Sequence, residues 1–335
     1  MAEQPLRLDR YTTHEPESPP ARVVDLSPTP PGPAHQREVP TWQLVLSTLI
    51  RGKAPPLTGP IAASTDPLHL ARTGYVAVAS MKGGVGKTTT TLGLGATLAS
   101  LRGDRVGGVD ANPDRGTLAY RVERQTTATA RDLLSNRASI DTYVDLCRYV
   151  NRGKHRFEVI ASEADPAAAE AFSHEDYLAV IEILARHYNI VLTDTGTGLS
   201  HDAMAGVLVR ADQLVVVVGT SSDEEEAGDD TLSWLEAHGH GDLVRSSVAV
   251  VSQRPAKASK KRVEELAGHF GQRCRSVVVV PHDPHLAQGG IVNLGLLRPA
   301  TRAAFRRAAG EVISGLEAAV PTNPIQSQPN QGGIS

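Results

Sequence analysis

The sequence predicts an α/β fold, a doubly wound and mostly parallel sheet with helices on both faces. Short β-branched runs alternate with stretches of helical periodicity from residue 75 to about residue 319. Several of these runs are apolar at consecutive positions, which is typical of strands covered on both faces. Seven runs are predicted to be strands: 75–80, 105–109, 157–161, 189–193, 213–218, 247–251 and 276–280.

Signals for helix starts support the same alternation. Ser173 and Asp176 stand three residues apart, as in an N-terminal capping box. Ser222 and Glu225 repeat that spacing, and we interpret the acidic run 223–226 as complementing a helix dipole. Predicted helices include 88–101, 177–188 and 299–319.

Composition excludes several classes of protein. The 335 residues carry a formal net charge of −3, so no global charge attracts nucleic acid or anionic lipid. The two cysteines, Cys147 and Cys274, are far apart, which disfavours a disulfide framework, a zinc site or an iron–sulfur cluster. Neither a secretory signal nor an apolar run of membrane-spanning length is visible. We expect a cytoplasmic protein that is at most peripheral to the nucleoid or inner membrane face.

Four segments follow from the distribution of proline and apolar residues. Residues 1–40 contain nine of the 22 prolines and are predicted to be a disordered arm. Residues 41–73 contain a short amphipathic helix, beginning near Trp42, and a connector. That helix could pack on the main domain, dock a partner protein or contact a membrane surface. Residues 74–319 form the main domain, and the polar tail 320–335 is predicted to be disordered.

A glycine-rich loop lies between the first predicted strand and the first predicted helix. Glycines let backbone N–H groups curl around an anion, and the helix N-terminus adds positive charge. Lys87 would reach terminal phosphates and the Thr88 hydroxyl would hold Mg²⁺. The usual G-x-x-x-x-G-K-[ST] spacing requires glycine where this chain has Met81, which is followed by Lys82. The predicted binding residues here are Gly83, Gly84, Val85, Gly86, Lys87, Thr88 and Thr89.

The segment Lys-Gly-Gly-Val-Gly-Lys-Thr-Thr, which starts at Lys82, resembles the deviant Walker A loop of the ParA/MinD family of ATPases. The resemblance covers roughly residues 74–315. It implies a P-loop ATPase domain that binds ATP and Mg²⁺. It also implies an ATP-dependent homodimer, in which Lys82 reaches the nucleotide held by the partner subunit.

Two further segments carry the resemblance. Asp194 ends a strand before a glycine-rich stretch and resembles the Walker B carboxylate, so Thr88, Asp110 and Asp194 are the implied metal site. After the second strand, relatives often carry Asp-x-Asp-Pro, but here the second position is Asn112. An amide can orient water yet cannot accept its proton, so we expect slow hydrolysis. Whether Asn112 or Asp114 supports hydrolysis stays open. The implied catalytic residues are Lys82, Asp110, Asn112 and Asp194.

The base-binding end is predicted after the last strand. Pro281 and Asp283 resemble the family's Pro-x-Asp turn beside the adenine. No N-K-x-D guanine motif occurs, which favours ATP over GTP. His282 and His285 flank Asp283, and we interpret them as members of a polar loop rather than a metal site.

A basic cluster precedes the helix that leads to His269, and its members are Arg254, Lys257, Lys260, Lys261 and Arg262. A solvated loop, nonspecific contact with DNA phosphates and an acidic partner are the three alternatives. No aromatic residue interleaves the cations, which disfavours base stacking.

The main hypothesis is therefore a ParA/MinD-like ATPase that organises a cargo in space through ATP-dependent dimerisation and an unidentified protein partner. Chromosome or plasmid partitioning, division-site placement and secretion-system positioning are the candidate processes. The Pro-rich arm, the run 110–114 and the run 283–286 resemble an actinobacterial branch of the MinD/ParA family, of which some members accompany type VII secretion. The alternatives are a hydrolysis-deficient nucleotide-binding scaffold and an ATP-dependent metabolic enzyme. A MinD-like membrane helix is not expected, because the C-terminal tail is polar.

Overall fold

The apolar runs of the sequence pair into one sheet. The computed structural model describes residues 70, 72–101, 103–112, 116–163, 165, 171–253 and 258–319. The strands are β1 (Gly74–Ala79), β2 (Val106–Ala111), β3 (Asn151–Arg152), β4 (Phe157–Ile160), β5 (Ile190–Thr195), β6 (Gln213–Val218), β7 (Val248–Ser252) and β8 (Ser276–Val280). They form an eight-stranded sheet of order β3-β4-β2-β5-β1-β6-β7-β8.

The helices connect these strands across the two faces of the sheet. They are α1 (Lys87–Leu101), α2 (Ala130–Ser135), α3 (Tyr143–Leu146), α4 (His174–Ala185), α5 (Asp202–Arg210), α6 (Ser222–Ala237), α7 (Gly241–Ser246), α8 (Lys260–Phe270), α9 (Pro284–Ala287) and α10 (Pro299–Ala318). Short 3₁₀ turns cover Ala119–Arg121, Arg137–Ser139 and Leu294–Leu296.

Strand direction places the ends of the central strands at one edge. Each neighbouring pair is parallel except β3 and β4, which run antiparallel. Strand β1 lies between β5 and β6, so the loop after β1 adjoins the loops after both neighbours. In open α/β sheets the crevice outside these carboxyl ends is where ligands bind.

The alternation of side chains along β1 divides the core into two layers. Tyr75, Ala77 and Ala79 belong to a cluster that includes residues of α4, α5, α6 and α8. Val76 and Val78 belong to the other cluster, which includes residues of α1 and α10. Successive residues of a strand point to opposite faces, so helices cover the sheet on both sides. The predicted fold class is confirmed.

All seven predicted strands are present, and their ends are shifted by two residues at most. The two-residue strand β3 was not predicted, because so short a segment has no readable period. The capping box at Ser173 is confirmed: the Ser173 N–H donates to Asp176 Oδ2, and the Asp176 N–H donates to Ser173 Oγ (both 3.1 Å).

The prediction of a cap at Ser222 was wrong by one residue. The capping residue is Ser221, whose backbone is extended and whose N–H donates to Glu224 Oε2 at 3.1 Å. Consecutive serines and glutamates make both registers fit the pattern. The structure selects one of them because Glu224 is buried, whereas Glu225 turns to Arg262.

Several predictions fall outside the part of the chain that the structure describes. They concern the arm 1–40, the helix near Trp42, the tail 320–335, Asp114, and two members of the basic cluster, Arg254 and Lys257. Within the described ranges, no helix combines the length and apolar character needed to cross a bilayer.

Candidate functional site

The glycine loop after β1 has the backbone that its sequence requires. Gly84 and Gly86 have φ values of 76° and 105°, in the left-handed region that glycine adopts without steric cost. A Cβ on Gly86 would stand 3.1 Å from Ser252 Oγ, so the loop also passes close to the end of β7. The Met81 N–H donates to Thr231 Oγ1 at 3.0 Å and ties the start of the loop to α6.

The two lysines of the loop point in different directions. Lys87, the first residue of α1, is 8% exposed, and its Nζ donates to the carbonyl of Lys82 at 3.4 Å. Its ammonium group therefore turns back over the loop, beside the start of α1. A cradle of this kind fits a phosphate group, because the lysine and the N-terminus of the helix both contribute positive charge.

Lys82 faces outward instead. Its side chain is 43% exposed, and its Nζ lies 2.8 Å from Asp223 Oδ2 in the first turn of α6. The hydrogen bond to Asp223 raises the pKa of Lys82, and the same hydrogen bond lowers the pKa of Asp223 to about 2. The structure thus gives the two lysines different surroundings, since Lys87 is buried and Lys82 is partly exposed.

Two carboxylates meet at the carboxyl ends of β2 and β5. Asp110 and Asp194 are partners in the strand register, and they are 2% and 1% exposed. Burial and the charge of Asp194 raise the pKa of Asp110 to about 8. Burial also raises the pKa of Asp194 to about 6, although hydrogen bonds from Thr88 and Thr91 and the nearby Lys87 oppose the shift. A divalent cation would relieve this repulsion.

Thr88 and Asp194 are brought into direct contact. Thr88 Oγ1 donates to Asp194 Oδ2 at 2.6 Å, and Thr91 Oγ1 donates to Asp194 Oδ1 at 3.1 Å. Mg²⁺ prefers one or two protein oxygens plus waters and phosphates, so this pair fits that ion. The assignment of Thr88, Asp110 and Asp194 as the metal site remains a prediction that this geometry supports.

Asp110 also shapes the loop that follows β2. Its Oδ1 accepts from the Asn112 N–H at 3.3 Å, and its Oδ2 accepts from the Leu118 N–H at 2.9 Å. Asn112 therefore follows the strand beside the buried carboxylates. It also lines a small hollow that Glu163 and His201 border.

The Pro-x-Asp turn after β8 is held by its own aspartate. Asp283 is 2% exposed, and its two carboxylate oxygens accept from the N–H groups of His285 (2.9 Å) and Arg298 (2.8 Å). Burial would raise the pKa of Asp283, but the backbone hydrogen bonds from Arg298 and His285 lower it. Asp283 thus fixes the turn at Pro281, and its role in base binding stays a prediction.

One residue near the loop was missed in the sequence. Arg121 ends the 3₁₀ turn after β2, and its Nη1 donates to Thr89 Oγ1 at 2.7 Å. No local pattern marked it, because an arginine in a polar stretch resembles any solvated residue. The contact arises from the fold, 32 residues along the chain from Thr89.

The described part of the basic cluster is paired with acids. Lys260 and Lys261 lie near Glu264 and Glu265, at 3.5 and 3.7 Å, and Arg262 lies 2.5 Å from Glu225. These pairs cancel much of the local charge, so the contact with DNA phosphates remains a hypothesis that this geometry does not favour.

Comparisons with known proteins give a family match and several similar proteins. Residues 76–283 match the family profile described as the CobQ/CobB/MinD/ParA nucleotide binding domain. The ESX-1 secretion-associated protein EspI of Mycobacterium tuberculosis (strain ATCC 25618 / H37Rv) is 35% identical over 226 residues. That match covers 67% of this chain and 34% of EspI, so the chain spans about a third of that relative.

Two MinD proteins are also similar. The septum site-determining protein MinD of Synechocystis sp. is 29% identical over 184 residues, which is 54% of this chain and 65% of that protein. The solved structure of MinD from Pyrococcus horikoshii OT3, complexed with Mg-ADP, has a TM-score of 0.56 at 19% identity. It aligns with 74% of this chain and 100% of that chain, and it supports the fold.

Proposed function

We propose that this chain, which belongs to the CobQ/CobB/MinD/ParA family of nucleotide-binding domains, is an ATPase that uses ATP-dependent dimerisation as a switch. The observation that carries the proposal is the difference in burial and in partners between the two loop lysines. Lys87 is buried over the glycine cradle, whereas Lys82 is exposed and held by an aspartate of α6. The buried Lys87 is placed to bind the chain's own nucleotide, whereas the exposed Lys82 is placed to bind the nucleotide of a partner subunit.

Each part of the site has a role in this proposal. The N–H groups of the loop and Lys87 hold the phosphates of ATP, while Thr88 and Asp194 hold Mg²⁺. The bound ion supplies charge that stabilises a transferring phosphoryl group. Asp110 keeps the loop after β2 in place through the N–H groups of Asn112 and Leu118.

Hydrolysis is proposed to be slow, because Asn112 can orient water by hydrogen bonding but cannot remove its proton. Phosphoryl transfer depends mostly on positioning and charge, so turnover would survive this change. The same residue favours the alternative function, a scaffold that binds nucleotide without hydrolysing it. An ATP-dependent metabolic enzyme is a weaker alternative, because the site shows no separate constellation of residues for a second substrate within the described ranges.

The cargo is proposed from similarity rather than from the site. EspI is named for its association with ESX-1 secretion, and MinD for septum placement. We favour positioning of a secretion system, since EspI shares 35% identity over 67% of this chain. Partitioning and division-site placement remain alternatives, and a protein partner is part of each.

Light scattering after size exclusion tests the switch in ADP, in ATP and in a non-hydrolysable ATP analogue, each with Mg²⁺. We expect a monomer in ADP and a dimer in the analogue. Lys87→Ala should lose nucleotide affinity, because one charge-assisted hydrogen bond contributes about 1.5–3 kcal/mol. Lys82→Ala should keep monomer binding and lose the dimer. Equal loss of affinity in both variants would contradict the division of roles.

Phosphate release separates the ATPase from the scaffold. Slow phosphate release by the wild-type chain supports the ATPase hypothesis if Lys82→Ala abolishes that release. The scaffold hypothesis is supported if the chain forms the analogue-dependent dimer but releases no more phosphate than buffer alone.

A further inference from the structure

Arg121 lies between two loops of the carboxyl edge. Its Nη1 donates to Thr89 Oγ1 in the first turn of α1, and its Nε lies 3.4 Å from the carbonyl oxygen of Gly290. Gly290 belongs to the segment after α9, which follows the Pro-x-Asp turn. The guanidinium thus spans from the phosphate loop side to the base side of the crevice.

One end of this guanidinium lacks a hydrogen-bond partner. Arg121 Nη2 is buried, and no acceptor for it occurs among the residues that the structure describes. Burial lowers the pKa of Arg121, although the charge of Asp194 acts in the opposite direction. Burying a cationic donor without an acceptor is costly, so the site favours an anion or a hydroxyl group at this position.

The directions of the α1 side chains indicate which part of a nucleotide would be nearest. Lys87 turns to the carbonyl of Lys82, and Thr88 turns to Asp194, so the terminal phosphates and the metal lie on that side. Thr89 points instead to Arg121. In a glycine loop of this kind the backbone N–H groups hold the α- and β-phosphates, and the lysine reaches the β- and γ-phosphates.

We propose that Arg121 binds the nucleotide at its α-phosphate and ribose end, with Nη2 as the donor. This inference rests on the proposed function. It assigns a contact that ATP and ADP share, in contrast to Lys82, which acts only in the dimer. It also connects bound nucleotide to the loop after β2, because Leu118 of that loop donates to Asp110.

Isothermal titration calorimetry of ADP and of a non-hydrolysable ATP analogue tests the proposal on the full chain with Mg²⁺. Arg121→Ala should weaken both ligands by the same factor, about 10- to 100-fold, which is the range of a charge-assisted hydrogen bond. Arg121→Lys should fall between the wild type and Arg121→Ala, because it keeps the charge and loses the planar fork. Arg124→Ala is the matched control, since Arg124 is exposed on the same loop and stacks near Tyr120.

Three outcomes would overturn the inference. Unchanged ADP affinity in a folded Arg121→Lys or Arg121→Ala variant would show that Arg121 only joins two loops. A variant that loses affinity for the ATP analogue but keeps its affinity for ADP would place the guanidinium at the terminal phosphate. An equal loss in Arg124→Ala would indicate a general effect of charge. Failure of the wild-type chain to bind either nucleotide is a different result, because it overturns the proposed function itself.

Discussion

Asp110 and Asp194 face each other across β2 and β5 as register partners, and both are almost completely buried. Two like charges so placed cannot both ionise without cost in the absence of a cation. The pair is therefore a source of instability that a metal-bearing ligand would remove. It links the stability of the fold to the occupancy of the site.

The first prediction concerns pH. The folded chain raises the pKa of Asp110 to about 8 and that of Asp194 to about 6. A raised carboxyl pKa contributes stability below the unfolded value of about 4, and this contribution is lost as pH rises toward 8. The free energy of unfolding of the ligand-free chain should fall by a few kcal/mol over that window, since one pKa unit corresponds to about 1.4 kcal/mol.

Denaturant titrations between about pH 5 and pH 8.5 measure this slope. Asp110→Asn should flatten it, even if the loss of one backbone hydrogen bond lowers stability at every pH. Asp230→Asn, an exposed change on α6, is the control and should keep the wild-type slope. An identical slope in Asp110→Asn and the wild type would refute the prediction.

The second prediction concerns the pair formed by Lys82 and Asp223. Lys82 must leave Asp223 before it can reach a partner's nucleotide, so Asp223 competes with the dimer. Asp223→Asn should strengthen analogue-dependent dimerisation about two- to fivefold, a small effect because the pair is exposed. Sedimentation equilibrium in the non-hydrolysable analogue measures the dimer constant. Glu226→Gln is the control, because it removes a neighbouring charge in the same helix turn. It should change the dimer constant less than Asp223→Asn does. Weaker dimerisation in Asp223→Asn would mean that Asp223 supports the interface.

The third prediction concerns Asn112. Asn112→Asp would supply a proton acceptor beside the buried carboxylate of Asp110, whose Oδ1 accepts from the N–H of residue 112. Phosphate release should rise at least about tenfold, because a positioned general base typically contributes 10²–10⁴. ADP affinity, measured by calorimetry, should stay unchanged. Asn112→Ala is the paired variant and should hydrolyse no faster than the wild type. If Asn112→Asp releases phosphate at the wild-type rate, the slow turnover has another cause.

The fourth prediction concerns the contact between α1 and α10. A Cβ on Gly93 would lie 2.2 Å from Phe305 Cζ, so the two helices approach closely there. Gly93→Ala should destabilise the domain by about 1–3 kcal/mol through overpacking. Gly310, on α10, has no atom within 4 Å of such a Cβ. Gly310→Ala should therefore stabilise by about 0.5–1 kcal/mol, because alanine has the better helix propensity. Thermal unfolding of both variants measures these effects. A change of the unfolding temperature in the same direction for both would contradict the close contact at Gly93.

The sequence by itself determined the sheet, the loop and the residue types of the site. Continuous apolar runs indicate strands buried on both faces, and a glycine loop between strand and helix has few other backbone solutions. Local signals were less reliable where two registers fit, as at Ser221 and Ser222, since the choice depends on which glutamate the rest of the fold buries.

Tertiary structure alone decided how the charges are arranged. The sequence could not reveal that Lys82 pairs with Asp223, because the two residues lie 141 positions apart along the chain. It could not reveal Arg121 either, whose contacts with Thr89 and Gly290 exist only once β2, α1 and α9 are packed together. Pair interactions between distant segments leave no periodic trace in sequence, whereas burial along a strand or helix does.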